Sequence, residues 1–256
     1  MRRVVITGIG IVSPLGTGLE KNWSALTNGK SGIGPITRFD AAEMPVRFAG
    51  EVSDFNADDF VDKKEARKMD LFILYALAAA EMALADSGLV ISEENAERVG
   101  VVVGSGMGGL PAIEKYHEAM LKNSYRKISP FFIPMSIINL AAGQISIKSG
   151  AKGPNLAPVS ACATGTHAIG DAFRIIQRGD ADAAFAGGTE STVCPMAVGG
   201  FSVMKALSNR NEAPELASRP FERSRDGFVL AEGAGIVMLE EDAAAKRRYK
   251  ATPLGR

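Results

Sequence analysis

The chain has 256 residues, and its 29 Lys and Arg are balanced by 29 Asp and Glu, so net charge supplies no global drive toward nucleic acid or a membrane surface. With 46% hydrophobic residues and 28 glycines it fits a well-buried α/β protein with many tight turns, as one large domain or two small ones. Two cysteines, Cys162 and Cys194, cannot make a disulfide framework, which makes a reducing, cytoplasmic compartment the expectation.

Residues 4–6 read as a first strand, Gly8-Ile9-Gly10 as a turn and residues 18–28 as a helix. The charged start and short apolar run lack the long apolar core of a signal peptide. Residues 29–60 carry Gly, Pro and Asp punctuation and read as irregular. Residues 62–88 read as one long helix ended by a glycine C-cap. Its apolar stretch, 71–85, is interrupted by Glu81 and falls short of the ~20 residues of a membrane span, so it reads as a buried core helix. Residues 99–103 form a β-branched run bounded by glycines, the pattern of a buried parallel strand.

A glycine-rich loop at 104–109 precedes a helix over 110–123, a loop over 126–134 and a helix over 136–149. A strand over 155–159 leads to Cys162, and a helix runs behind it from Thr166 to Gly179. A strand over 183–186, closed by Gly187-Gly188, and two strands at 228–230 and 235–240 complete the pattern. Alternating strands and helices predict a mixed, mostly parallel five-stranded sheet with helices on both faces.

Val159-Ser160-Ala161-Cys162-Ala163-Thr164-Gly165 carries the chemistry. A cysteine between a strand and a helix, among small residues, places its thiol at the helix N-terminus. Backbone N–H groups and the helix dipole there favour thiolate, and small neighbours admit a substrate carbonyl. A free cysteine is also a common buried hydrophobe. Cys194, in Thr192-Val193-Cys194-Pro195, has no such setting and reads as inert. The histidines, His117 and His167, read as surface residues. His167 lies five residues past Cys162, roughly 140° beyond a full helical turn, and is expected to point away from the thiol. No Cys, His and carboxylate spacing suggests a metal site.

Gly104-Ser105-Gly106-Met107-Gly108-Gly109 satisfies G-x-G-x-x-G, but a single match is weak, and close backbone packing beside a pocket suits these glycines better than a dinucleotide. Lys63, Lys64, Arg67 and Lys68 form a basic cluster at a helix start; a solvated face is the ordinary reading of such a cluster, while its place near a helix N-terminus, where positive charge is unfavourable, supports a partner.

These segments together resemble the β-ketoacyl-[acyl carrier protein] synthases, in their bacterial type II group. The resemblance rests on Arg3-Val4-Val5-Ile6-Thr7-Gly8-Ile9-Gly10, Arg67-Lys68-Met69-Asp70, the glycine loop and Ile128-Ser129-Pro130-Phe131-Phe132-Ile133-Pro134. It continues through Ser160-Ala161-Cys162-Ala163-Thr164-Gly165, Ala186-Gly187-Gly188-Thr189-Glu190, Ala206-Leu207-Ser208, Ser218-Arg219-Pro220-Phe221 and Arg225-Asp226-Gly227-Phe228-Val229.

The resemblance implies a thiolase-like fold without cofactor or metal, and an acyltransferase of fatty acid biosynthesis. Cys162 would take an acyl chain from acyl carrier protein, with its backbone N–H as an oxyanion donor, and malonyl carrier protein would be decarboxylated and condensed with it. It further implies that Met107 and Phe201 line the acyl pocket and that Ile133 limits its depth at a dimer interface. Lys64, Arg67, Lys68, Arg126, Lys127 and Lys205 would form the carrier-protein face, without nucleic acid or membrane as partner.

Ala231 stands where the family usually has glycine. Residues 1–245 are expected to form the N-terminal ketoacyl synthase half, and residues 246–256 a basic tail unlike the family. The family's second half, with two catalytic histidines and a Phe-Gly-Gly segment, has no counterpart in the sequence. The chain therefore reads as a shortened condensing enzyme, truncated or frame-shifted, with impaired catalysis. The alternatives are a non-catalytic truncated fragment or partner subunit, with a large exposed apolar face, and a coenzyme A-dependent thiolase-like acyltransferase.

Overall fold

The computed structural model describes residues 1–251; residues 252–256 of the basic tail lie outside the described residues. In chain order the elements are β1 (Val4–Ser13), β2 (Gly16–Thr17), α1 (Leu19–Thr27), β3 (Gly34–Pro35), β4 (Phe48–Ala49), α2 (Lys63–Ala66), α3 (Leu71–Ser87) and β5 (Val99–Gly104). There follow α4 (Leu110–Lys122), α5 (Phe132–Ser136), α6 (Leu140–Ser149), β6 (Asn155–Leu156), α7 (Thr164–Arg178), β7 (Ala183–Glu190), α8 (Pro195–Val203), β8 (Gly233–Glu241) and α9 (Asp242–Ala251).

The main sheet has six strands in the order β2-β1-β8-β7-β5-β6, and β3 pairs with β4 in a separate ribbon. β5 pairs in parallel with β6 and β7, whereas β1–β2, β1–β8 and β7–β8 are antiparallel. The sheet is mixed, as expected, but neither five-stranded nor mostly parallel. β8 returns after a long excursion to insert antiparallel between β1 and β7, and β2 adds a two-residue edge.

Alternation along the strands sorts side chains to two faces. Val101, Val103, Phe185, Ile236 and Met238 pack with Phe72, Leu77 and Ala79 of α3 and Ile145 of α6. Val102, Ala184, Ala186 and Leu239 pack with Ala168, Ala172 and Ile176 of α7. Ile6 lies opposite Leu239 and Ile9 opposite Val237, so both share the α7 face. There they are 59% and 41% exposed, which makes the β1 side of that face an uncovered apolar surface.

Two glycine pairs behave differently from expectation. Gly8 and Gly10 make no turn but lie inside β1, where a Cβ would meet Ala83 O at 2.1 Å and Ala79 O at 1.9 Å. Their missing side chains let α3 press onto the strand. Gly187 and Gly188 continue β7 to Glu190 rather than closing it. A Cβ on Gly187 would lie 2.0 Å from Gly235 O, and Gly188 faces Gly165 of α7.

The helix expected over 62–88 is two helices. Asp62 caps α2 by accepting from Lys64 N at 2.8 Å, and Asp70 caps α3 by accepting from Phe72 N at 3.4 Å. Side-chain capping at Asp70 competes with continuation of the helix and restarts it. The strand expected over 155–159 ends at Leu156, before Pro158, which has no N–H to donate. The strand expected at 228–230 reduces to isolated bridges, Leu207 with Phe228 and Gly50 with Ala231.

Candidate active site

Cys162 sits in a single 3₁₀ turn, Ala161–Ala163, that runs directly into the fifteen-residue α7. Its side chain is exposed. The preceding Ala161 has φ of +51°, a left-handed conformation that costs an L-residue with a Cβ roughly 1–2 kcal/mol. Such strain persists only where neighbours over-determine it. Here the Ser160 N–H donates to Thr164 Oγ1 at 2.9 Å, and Ala163 N–H donates to Ser160 O at 3.1 Å. The strained turn lifts the cysteine onto the end of α7, where N–H groups and the dipole stabilise an anion.

The cysteine borders a cavity of about 680 Å³, within the size range of small-molecule sites. Met107 and Phe201 also line it, and Phe201 meets Phe228, another lining residue, edge to face at 5.3 Å. Ile133 lies on α5, 59% exposed, and does not border the cavity.

The glycine loop holds an anion, and the anion is the protein's own. The Glu190 carboxylate accepts from Ser105 Oγ at 2.7 Å and from the N–H groups of Gly106, Met107 and Gly108 at 2.8, 2.9 and 3.0 Å. A backbone nest that elsewhere cradles phosphate is filled by a side chain from the end of β7. Sequence reasoning missed this pairing. The signal was a nest-forming loop with no other anion to hold, together with a carboxylate at the end of a neighbouring strand.

A second carboxylate, this one buried, braces another part of the cavity lining. Glu232, which also lines the cavity, accepts from Arg38, from Tyr75 Oη at 3.2 Å, from Val52 N at 2.9 Å and from Ser191 Oγ at 2.9 Å. Burial, then the neighbouring Glu232 charge, pushes the Tyr75 hydroxyl well above its ordinary pKa, so it stays a donor.

Cys194 is 4% exposed, and burial pushes its thiol up to about 11, the condition of an inert cysteine. His117 is exposed on α4. His167 is exposed as expected, but its Nδ1 lies 2.5 Å from Ser160 Oγ, two residues before the cysteine, a contact the helical spacing did not suggest.

Lys64, Arg67, Arg126, Lys127 and Lys205 are exposed, and Lys68 is partly buried. Lys68 Nζ lies 5.3 Å over the ring of Phe131, which joins the α2 segment to the stretch just beyond Arg126 and Lys127. Lys205 follows α8 in a left-handed conformation, φ +56°, beyond the cavity-lining Phe201. Among the described residues no helix is long and apolar enough to cross a membrane.

An exposed cysteine ahead of a long helix, bordering a cavity on a mixed α/β sheet, is set in a thiolase-like fold. Solved structures agree on that fold. A beta-ketoacyl synthase from Burkholderia phymatum is 34% identical with a TM-score of 0.86, covering 97% of this chain and 61% of its own. A type II polyketide ketosynthase solved with its acyl-carrier protein, AntDE:AntF, is 31% identical with a TM-score of 0.84. It covers 97% of this chain and 60% of its own. The chain belongs to the beta-ketoacyl synthase family, whose N-terminal domain matches residues 1–245. The 3-oxoacyl-[acyl-carrier-protein] synthase 2 of Coxiella burnetii is 55% identical over 247 residues, and that of Vibrio harveyi 53%. Each alignment covers 96% of this chain and 60% of the relative, so the chain spans about three fifths of those proteins.

Proposed function

We propose that this chain carries the acyl-accepting half of a 3-oxoacyl-[acyl carrier protein] synthase of fatty acid biosynthesis, working in the cytoplasm. The observation that carries the reading is Cys162, exposed at the α7 N-terminus and bordering the 680 Å³ cavity. The Cys162 thiolate attacks the carbonyl of an acyl-carrier thioester. The carbon–sulfur bond to the carrier breaks, its thiolate leaves and takes up a proton, and the acyl group rests on Cys162. The Cys162 N–H is the proposed oxyanion donor in this step. The Met107 and Phe201 walls receive the chain, and Ile133 is its proposed depth limit once a second protomer packs there.

Malonyl carrier protein then loses carbon dioxide, and its α-carbon attacks the acyl-cysteine. Cys162 leaves as thiolate and a 3-oxoacyl carrier protein two carbons longer is released. Family members draw on two histidines for this stage, in motifs that His117 and His167 do not match. Each such acid–base group contributes typically 10²–10⁴-fold, so the 256-residue chain by itself should transfer acyl groups but condense poorly. Lys64, Arg67, Lys68, Arg126, Lys127 and Lys205 are the proposed face for the acidic carrier.

The test offers the chain an acyl carrier protein and the same acyl group on coenzyme A, at equal concentration. Faster transfer from the carrier, lost when Lys64, Arg126 and Lys127 are together changed to Glu, supports the reading. Equal or faster transfer from coenzyme A, or cleavage of acetoacetyl coenzyme A, would point to a thiolase.

A further inference from the structure

We infer that Ser160 and His167 form a clasp that holds the strained turn presenting Cys162, which makes both positioning residues for its thiol; this rests on Cys162 being the nucleophile. Ala161 stands at φ +51° immediately before the cysteine, so the turn relaxes unless the residue on its other side is fixed. That residue is Ser160, and α7 grips it twice. Its N–H donates to Oγ1 of Thr164, a side chain only 3% exposed, and its hydroxyl lies 2.5 Å from Nδ1 of His167. One hydrogen is shared across the second contact, carried by either atom according to the imidazole tautomer.

Both grips come from the first four residues of the helix whose N-terminus supports the thiol. The cysteine is thus fixed to that N-terminus from before and after. With the hydroxyl–imidazole contact gone, only the Ser160 N–H bond to Thr164 and the Ala163 N–H bond to the Ser160 carbonyl oppose the strain. The turn can then relax toward an ordinary conformation and carry the thiol off the positive end of the helix. The position of His167, which helical spacing seemed to disqualify, has a use: it reaches back to the residue before the turn rather than to the sulfur.

The experiment measures the second-order rate of Cys162 alkylation by iodoacetamide at pH 7, scaled to the folded fraction from circular dichroism, for Ser160→Ala, His167→Phe and His167→Asn. The Asn side-chain amide occupies the place of Nδ1 and can keep the bond to Ser160. The clasp predicts that Ser160→Ala and His167→Phe slow alkylation about tenfold, while His167→Asn stays within about twofold of the parent. His117→Gln, remote on α4, should leave the rate unchanged. Parent-like rates in both Ser160→Ala and His167→Phe overturn the clasp, as does an Asn variant as slow as the Phe variant. Alkylation needs no carrier protein. Failure of acyl transfer with these rate differences intact would reject the proposed function and leave the clasp standing.

Discussion

The two cysteines separate on environment alone. Cys194 is sealed among Val193, Ala197 and Val198 with its thiol pushed up to about 11, whereas Cys162 is exposed on a helix end. The sequence foretold this, because small residues around a cysteine at a strand-to-helix junction imply an open turn. It could not foretell Glu190 or Glu232, since each collects its partners from segments distant in the chain. Glu232 draws Arg38, Val52, Tyr75 and Ser191 onto one buried carboxylate. Removing one side of a buried, hydrogen-bonded pair is far costlier than the pair's net worth. Glu232→Ala should therefore lower unfolding free energy by roughly 3 kcal/mol, read from the urea midpoint. A loss under roughly 1 kcal/mol would show that the network is not the brace described.

At the scale of elements, the structure departs from the sequence pattern mainly where glycine stands. Gly8, Gly10, Gly187 and Gly188 look like punctuation in the sequence, yet each lies inside a strand, where the absence of Cβ matters for a neighbour's approach. Local sequence cannot distinguish the two uses, because the neighbour comes from far along the chain. Gly10→Ala would put its Cβ 1.9 Å from Ala79 O, so β1 and α3 must separate, at a cost of roughly 3 kcal/mol and a clear drop in melting temperature. An unchanged melting temperature would refute that packing.

The break before α3 gives a pH prediction. Burial, opposed by backbone N–H bonds and reinforced by the charge of Glu190, pushes the Asp70 carboxyl from 3.8 up to about 6. An acid with a raised folded pKa binds its proton more tightly in the fold, so its contribution falls as pH rises from about 4 through about 6. Asp70→Asn keeps the cap and loses the charge. Relative to the parent, its melting temperature should gain steadily across that window, and a constant difference would contradict the assignment.

For the whole molecule, the layered α/β architecture and the family were legible because hydrophobic runs and motif order survive in one dimension. Strand order was not, since the antiparallel insertion of β8 is fixed by where a long excursion returns. The apolar face left beside α7, with Ile6 and Ile9 open, is larger in consequence than any single residue. Exposed contiguous apolar surface drives association. Elution in size-exclusion chromatography should shift to larger size as concentration rises, and Ile6→Lys with Ile9→Lys should weaken the shift. A concentration-independent monomer would argue against that surface.

The central claim is that Cys162 accepts an acyl group, and intact mass tests it most directly. After incubation with an acyl-loaded carrier protein, the chain should gain the mass of one acyl group, removable by hydroxylamine. Cys162→Ala should gain nothing and Cys194→Ala should behave as the parent. An adduct that persists in Cys162→Ala, or none in the folded parent, would contradict the account.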